Sequence, residues 1–198
     1  DRGFCSVVVS NGNSNDPMRE LVWQRLNEYR EVASGGRFRN NIGGPVADKM
    51  EFIGKYKFNL ALENSRVDNY TTEKIVEPMA AHTVPIYWGN RYVDQEFNKD
   101  AFIDVSDFDS VDRAIEYIRK VDSDDELYMK ILNAPKLAVD APVDWNDRLQ
   151  AFLDHIVKNG RHYICQYGYS RKMYEERKIK ERLVNVRILR GFARRFLK

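Results

Sequence analysis

Apolar positions along this chain fall into two rhythms. Short unbroken runs, "FCSVVV" (4–9), "FNLAL" (58–62), "VPIYW" (84–88) and "AFIDV" (101–105), predict strands buried on both faces. A briefer apolar "EVA" stands at 31–33. Between the runs the spacing turns helical. "MRELVWQRLNEYR" (18–30) places Leu21, Val22, Arg25/Leu26 and Tyr29 on a helical period. It follows Asp16-Pro17, which reads as an N-cap and a first helical proline. "DKMEFIGKY" (48–56), "TTEKIVEPMAAH" (71–82) and stretches near 109–121, 124–133 and 146–159 also predict helices. Pro78 falls in the second turn of its helix, where it removes a donor and should kink or tighten the backbone. Gly89 ends the "VPIYW" strand.

Strands alternating with helices predict βαβ units. The expected fold is therefore α/β, a parallel sheet flanked by helices. Such sheets bind ligands outside the carboxyl ends of their strands, near a topological switch point. "NAPKLAVDAPVD" (133–144), rich in Pro and Ala, is the linker candidate and should lead away from the sheet.

Composition changes this picture in three ways. At 43% hydrophobic and 31% charged, the 198 residues suit a globular domain rather than a disordered chain. The net charge of +2 conceals an asymmetry: residues 171–198 hold eleven Lys/Arg against three Glu, a local +8, which leaves −6 on the rest. A mildly acidic body with a basic tail implies a separate partner for the tail. Cys5 and Cys165 are far apart and give no disulfide framework, so a reducing compartment is expected. His82, His155 and His162 lack metal-ligand spacing. No apolar run reaches the ~18 residues of a membrane span. Opening on Asp1, almost directly at a buried-looking strand, suggests a piece cut from a longer protein.

The candidate chemistry lies in two strand-to-helix turns that a parallel sheet would present on one edge. The first delivers Arg19 and the second, "ENSRVDNYTTEK" (63–74), delivers Lys74, each in the first turn of a helix. Helix N-termini favour anions, so cations there call for a reason. A bound pyrophosphate would supply one, and surface side chains pointing away would be the bland alternative. Glu73 could cap its helix or accept two ribose hydroxyls. Asn64 could form an Asx-turn, and Tyr70 could pack or hydrogen-bond a phosphate or sugar. "SGGRFRNNIGG" (34–44) could cradle a ligand, although glycine-rich turns are common. "DSDD" (122–125) resembles an acidic metal motif, but a helix N-cap at Ser123 or Asp124 explains it better. "NYT" (69–71) is a formal glycosylation sequon, and Trp88 reads as core.

"FNLALENSRVDNYTTEKIVEPMAAHTVPIYWGN" resembles the signature region of the α-1,3/1,4-fucosyltransferases, the bacterial ones above all. "FCSVVVSN" with Arg19, then "SGGRFRNNIGG", resemble two further blocks in the same order, so the resemblance runs from residue 4 to about 160. It implies an inverting transferase of the GT-B architecture, of which this chain is the C-terminal, Rossmann-like, GDP-fucose-binding half. Residues 1–160 would form that domain and 161–198 a basic amphipathic tail. The acceptor domain and its catalytic base are expected on an N-terminal half that this chain lacks.

Carried onto matching positions, the resemblance implies that Arg19 and Lys74 hold the pyrophosphate and Glu73 the ribose. Asn64 and Tyr70 would contact the phosphate or fucose region. GDP-fucose is the expected donor and a glycan with N-acetylglucosamine or glucose the expected acceptor. No cofactor is obligatory, although a divalent metal could stimulate. A non-catalytic nucleotide-sugar-binding module, or a transferase using another GDP-sugar, is the alternative.

The tail places Leu183, Val186, Leu189, Ala193 and Phe196 on one face with Lys and Arg between, a cationic amphipathic helix. Bacterial members of the family often end in such segments. The resemblance implies a bacterial cytoplasmic enzyme, peripheral at the inner membrane face through residues 171–198. Nucleic acid is not an expected partner, since nothing in the body supports it.

Overall fold

The computed structural model describes residues 1–10, 17–141 and 144–159. The predicted basic helix of residues 171–198, Cys165 and His162 lie outside the described residues, as does the expected cap Asp16. By internal contacts the chain divides into residues 1–143 and 144–198. The second unit contributes one described helix, Trp145–Asn159, at the position where the sequence predicts one. The sheet and its flanking helices all belong to the first.

A five-stranded parallel sheet organises the first unit. Its strands are β1 (Gly3–Val7), β2 (Val32–Ser34), β3 (Tyr56–Leu62), β4 (Val84–Trp88) and β5 (Ile103–Asp104), in the order β2-β1-β3-β4-β5. From β1 the chain first runs to β2 on one side, then returns to β3 on the other. The switch point therefore lies between the carboxyl ends of β1 and β3, the crevice where such sheets take ligands. Both turns singled out by sequence leave from those two ends.

Alternation along the strands divides the core into two layers. Phe58, Leu60 and Leu62 of β3 and Val84, Ile86 and Trp88 of β4 pack against α1 (Met18–Tyr29), α4 (Val111–Ser123) and α5 (Asp125–Asn133). Ala61 and Tyr87 face a smaller cluster with Ile75 and Met79 of α3 (Glu73–Ala80) and with Val93, Phe97, Ala101 and Phe102. The remaining helix of this unit, α2 (Lys49–Gly54), is capped by the Asp48 carboxylate, which accepts from Glu51 N. Asn59 stands inside β3 because its amide donates to Ser6 O (3.1 Å) and Ser6 Oγ (2.9 Å) on β1.

Several expectations change. In α1 the buried positions are Arg19, Val22 and Leu26, whereas Leu21 is exposed. Pro17 sits at the N-cap position rather than inside the helix. The "AFIDV" strand shrinks to two residues because the Asp104 carboxylate accepts from Ser106 N (2.8 Å) and turns the chain into a 3₁₀ helix, Val105–Asp107. Pro78 is tolerated because its helix ends two residues later. Thr83 N donates to Pro78 O (2.8 Å) and His82 N to Met79 O (3.2 Å), with His82 left-handed at φ 53°. That is a Schellman stop without glycine. The linker candidate does not leave the sheet unit at once. Leu137 bridges Phe97 in antiparallel fashion, flanked by Asn98 N to Lys136 O (3.0 Å) and Ala138 N to Glu96 O (3.1 Å).

The "DSDD" stretch is structural. Asp124 caps α5 by accepting from Leu127 N (3.0 Å). Asp122 is buried and gathers Arg30 Nη1 (2.7 Å), Tyr29 Oη (3.1 Å) and Lys57 Nζ (3.1 Å). These bonds hold its carboxyl below the usual range, although burial pulls the other way.

Candidate functional site

The carboxyl end of β3 is where buried charge concentrates. Leu62 is the last strand residue, and Glu63 follows it into the interior with only 1% of its surface exposed. Glu63 Oε1 accepts from Thr72 N (3.0 Å) and Thr72 Oγ1 (2.6 Å), and Oε2 accepts from Lys74 Nζ (2.8 Å). The Thr72 hydroxyl also accepts from Lys74 Nζ (3.0 Å) and caps α3 through Lys74 N (3.4 Å). One carboxylate thus ties the strand end, the helix cap and the first-turn lysine together. Gly89 leaves room for it: a Cβ there would come within 2.6 Å of Glu63 Cγ and of Tyr87 Oη.

Arg19 reaches the same strand end from α1. Its guanidinium is buried, at 2% exposure, and Nη2 donates to Leu62 O (3.0 Å) and Asn64 Oδ1 (2.6 Å). Leu62 and Asn64 flank Glu63 in sequence, so the two cations are anchored on three consecutive residues. Burial lowers the Arg19 pKa from its ordinary value, and the Glu63 charge opposes that fall. Glu73 is more exposed and stands 3.6 Å from Lys74 Nζ. Desolvation pushes its carboxyl up, but its own backbone N–H, Lys74 and Lys49 outweigh that and leave it below the usual value.

The loop between Glu63 and Thr72 is pinned at its middle by Asn90. Asn90 Oδ1 accepts from Asn69 N (2.8 Å) and Tyr92 N (3.0 Å), and its amide donates to Thr71 Oγ1 (3.0 Å). Asn90 N in turn donates to the Tyr87 hydroxyl (2.8 Å), a phenol pushed up to about 12 by burial and hence neutral. Asn69 takes a left-handed φ of 60° within this loop. Tyr70 is 52% exposed and, among the described residues, takes no part in the Glu63 bonds.

Sequence reasoning therefore placed Arg19, Asn64 and Lys74 where the structure assembles them, with Glu73 at the edge and Tyr70 outside. It missed Glu63 and Asn90. The available signal for Glu63 was an acid placed directly after the strand "FNLAL" and before a Thr-Thr-x-Lys helix start.

A cleft of about 730 Å³ opens beside this cluster, past the ends of β1 and β2. Gly35, Gly36, Arg37, Asn40, Pro45 and Lys49 line it. Gly36 is required by contact, since a Cβ would lie 2.1 Å from Val9 O. Asn40 fixes the loop by donating to Gly36 O (2.8 Å) and Gly44 O (2.9 Å). Lys49 connects cleft and cluster: it lines the one, pairs with Glu77 on α3 and lowers the Glu73 carboxyl.

A sequence profile described as glycosyltransferase family 10 (fucosyltransferase) C-term matches residues 2–152. The chain belongs to that family. An alpha-(1,3)-fucosyltransferase of Helicobacter pylori is 42% identical over 131 residues, covering 66% of this chain and 27% of the relative. A mouse 4-galactosyl-N-acetylglucosaminide 3-alpha-L-fucosyltransferase is 31% identical over 157 residues, covering 77% and 43%. A crystal structure of an alpha1,3-fucosyltransferase with GDP-fucose matches with a TM-score of 0.72 at 35% identity, over 82% of this chain and 49% of that one. The same fold is matched in an alpha1,3-fucosyltransferase structure with GDP, at a TM-score of 0.73 and 37% identity over 81% and 48%. This fucosyltransferase-family chain thus has the Rossmann-like sheet of its solved relatives, and it spans less than half the length of these relatives.

Proposed function

We propose that this chain is the donor-binding half of an inverting α-1,3(/4)-fucosyltransferase and takes GDP-fucose for transfer to a glycan acceptor. The observation that carries the reading is the pairing of Arg19 and Lys74 on the end of β3, at the switch point of a parallel sheet. Two fixed cations at that edge suit a pyrophosphate. In this reading the nucleoside extends toward the cleft beyond Lys49, with Glu73 facing the ribose hydroxyls. Asn64 and Tyr70 border the fucose side.

Displacement at the anomeric carbon builds negative charge on the departing GDP. Cations already aimed at that charge stabilise the transition state more than the ground state. Arg19 and Lys74 can fill the part that a metal takes elsewhere. Glu63 is not the general base: it is buried, and its oxygens are engaged by Thr72 and Lys74. A base on a separate acceptor domain would deprotonate the acceptor hydroxyl.

Calorimetric titration of the chain with GDP-fucose, GDP-mannose and UDP-galactose tests the reading. The GDP-sugars should bind and the UDP-sugar should not; a folded chain that binds no GDP compound would refute it. We further propose attachment to the cytoplasmic face of a bacterial membrane through residues 171–198, supported by their charge of +8. Sedimentation with vesicles carrying anionic lipid should retain the chain, and equal retention by neutral vesicles would count against it.

A further inference from the structure

The geometry points to Glu63 as the positioning residue of the donor site: it aims Lys74 at the pyrophosphate rather than touching the ligand itself. This inference rests on the donor-site reading above. An ammonium has three N–H donors. Lys74 directs one at Glu63 Oε2 (2.8 Å) and one at Thr72 Oγ1 (3.0 Å). Its remaining ion-pair neighbour, Glu73 Oε1, lies at 3.6 Å. Two fixed acceptors leave the third donor with one direction, set by the protein and not by the ligand.

The carboxylate is built for this work. It is buried and both of its oxygens are already engaged by Thr72 and Lys74, which leaves it no part in contacting an acceptor hydroxyl. Its Oε1 is occupied by the Thr72 amide and hydroxyl, so the carboxylate plane is locked before any ligand arrives. Gly89 supplies the space. Glu63 also offsets repulsion between Lys74 and Arg19, whose charge it already stabilises. A lysine on a flexible four-carbon stem would otherwise lose this orientation and much of its directed bonding.

Glu63→Gln separates this role from a general structural one. The amide oxygen can still accept from Thr72, which keeps the cap. The amide nitrogen cannot accept from Lys74, so the lysine keeps only Thr72 Oγ1 as a fixed acceptor and its direction is no longer set. Calorimetry with GDP and guanosine on the full chain and on E63Q, K74A and the double variant gives the answer, with thermal unfolding to confirm that each is folded. E63Q should weaken GDP at least tenfold and leave guanosine within twofold. In the K74A background the same change should alter GDP affinity by less than twofold, because there is no lysine left to aim.

An E63Q chain that binds GDP as tightly as the parent would overturn the inference. So would an E63Q loss that persists undiminished in the K74A background. Should E63Q not fold, Glu63→Asp reads the same question: the charge stays but the arm is one methylene shorter, and GDP should weaken while guanosine holds. If the unaltered folded chain binds no GDP, the donor-site reading falls and takes this inference with it. If it binds GDP and E63Q is silent, only the role of Glu63 falls.

Discussion

Replacing Asp122 by Ala removes the anion that joins α1, α4 and β3 away from the ligand edge. Two donors lose their acceptor, Arg30 (2.7 Å) and Tyr29 (3.1 Å), and Lys57 loses its ion-pair partner (3.1 Å). Breaking a fully buried pair costs about 3–5 kcal/mol, because a charge is left stranded. Here the stranded cations have relief. The Arg30 side chain is 51% exposed and can rehydrate, and Lys57, at 17%, keeps the Asp122 carbonyl at 2.7 Å. The expected loss is therefore about 2–3 kcal/mol, below that range. Asp122→Asn, which keeps the shape and one acceptor, should cost about 1–2 kcal/mol.

The acid limb of stability gives an independent check. The folded carboxyl of Asp122 lies below its ordinary value, so between the two values the unfolded chain binds the extra proton. Stability from this group is thus complete above the ordinary carboxylate value and drains away as pH falls through the folded one. Urea denaturation followed by circular dichroism at pH 7, 5, 4 and 3 should show the parent–Asn gap closing in the acid range. A gap constant with pH, or an Asn variant as stable as the parent at pH 7, would refute the ion-cluster account. A metal role for the same acids would instead make parental stability depend on added divalent cation.

Lys74→Ala should weaken GDP by about 10- to 100-fold, the worth of one charge-assisted hydrogen bond, while calorimetry finds guanosine within twofold. Gly36→Ala forces a Cβ against the Val9 carbonyl, with only backbone to yield. It should cost about 1–3 kcal/mol in urea denaturation and distort the cleft. His82→Gly relieves a left-handed residue at φ 53° and should raise stability by up to about 1 kcal/mol in a thermal melt.

What was legible in the chain was what local rules control. The "VPIYW" strand emerged at the residues read for it, and β3 needed only two more. Continuous apolar runs mark parallel strands because both faces are covered, and strand-helix alternation then places two turns on one edge. What failed were positions settled at long range. Leu21 fits the helical period as well as Val22, yet the buried face is set by where α4 packs on α1, and Leu21 falls outside it. Asp122 read as part of an acidic run, because its partners Tyr29, Arg30 and Lys57 are 65 or more residues away. Glu63 and Asn90 drew no role from sequence for the same reason, since their bonds fasten a loop to a neighbouring strand end.

If the β3 turn holds a diphosphate, as proposed, its make-up meets a conflict between holding that group and releasing it. Arg19 and Lys74 contribute two positive charges, and Glu63 and Glu73 offset them with two negative ones. The cluster is therefore near neutral as a whole, yet its donors are directed. A bare pair of mobile cations would attract GDP from a distance, before and after transfer alike, without the directed contacts that hold a seated diphosphate, and uniform attraction of that kind does not speed the chemical step. A compensated pair attracts less at a distance but presents oriented N–H groups to charge that grows in one place. The buried acid therefore does not work against the site. In the proposed reading it converts loose positive charge into fixed direction, with Glu63 inside and Glu73 outside around a single lysine.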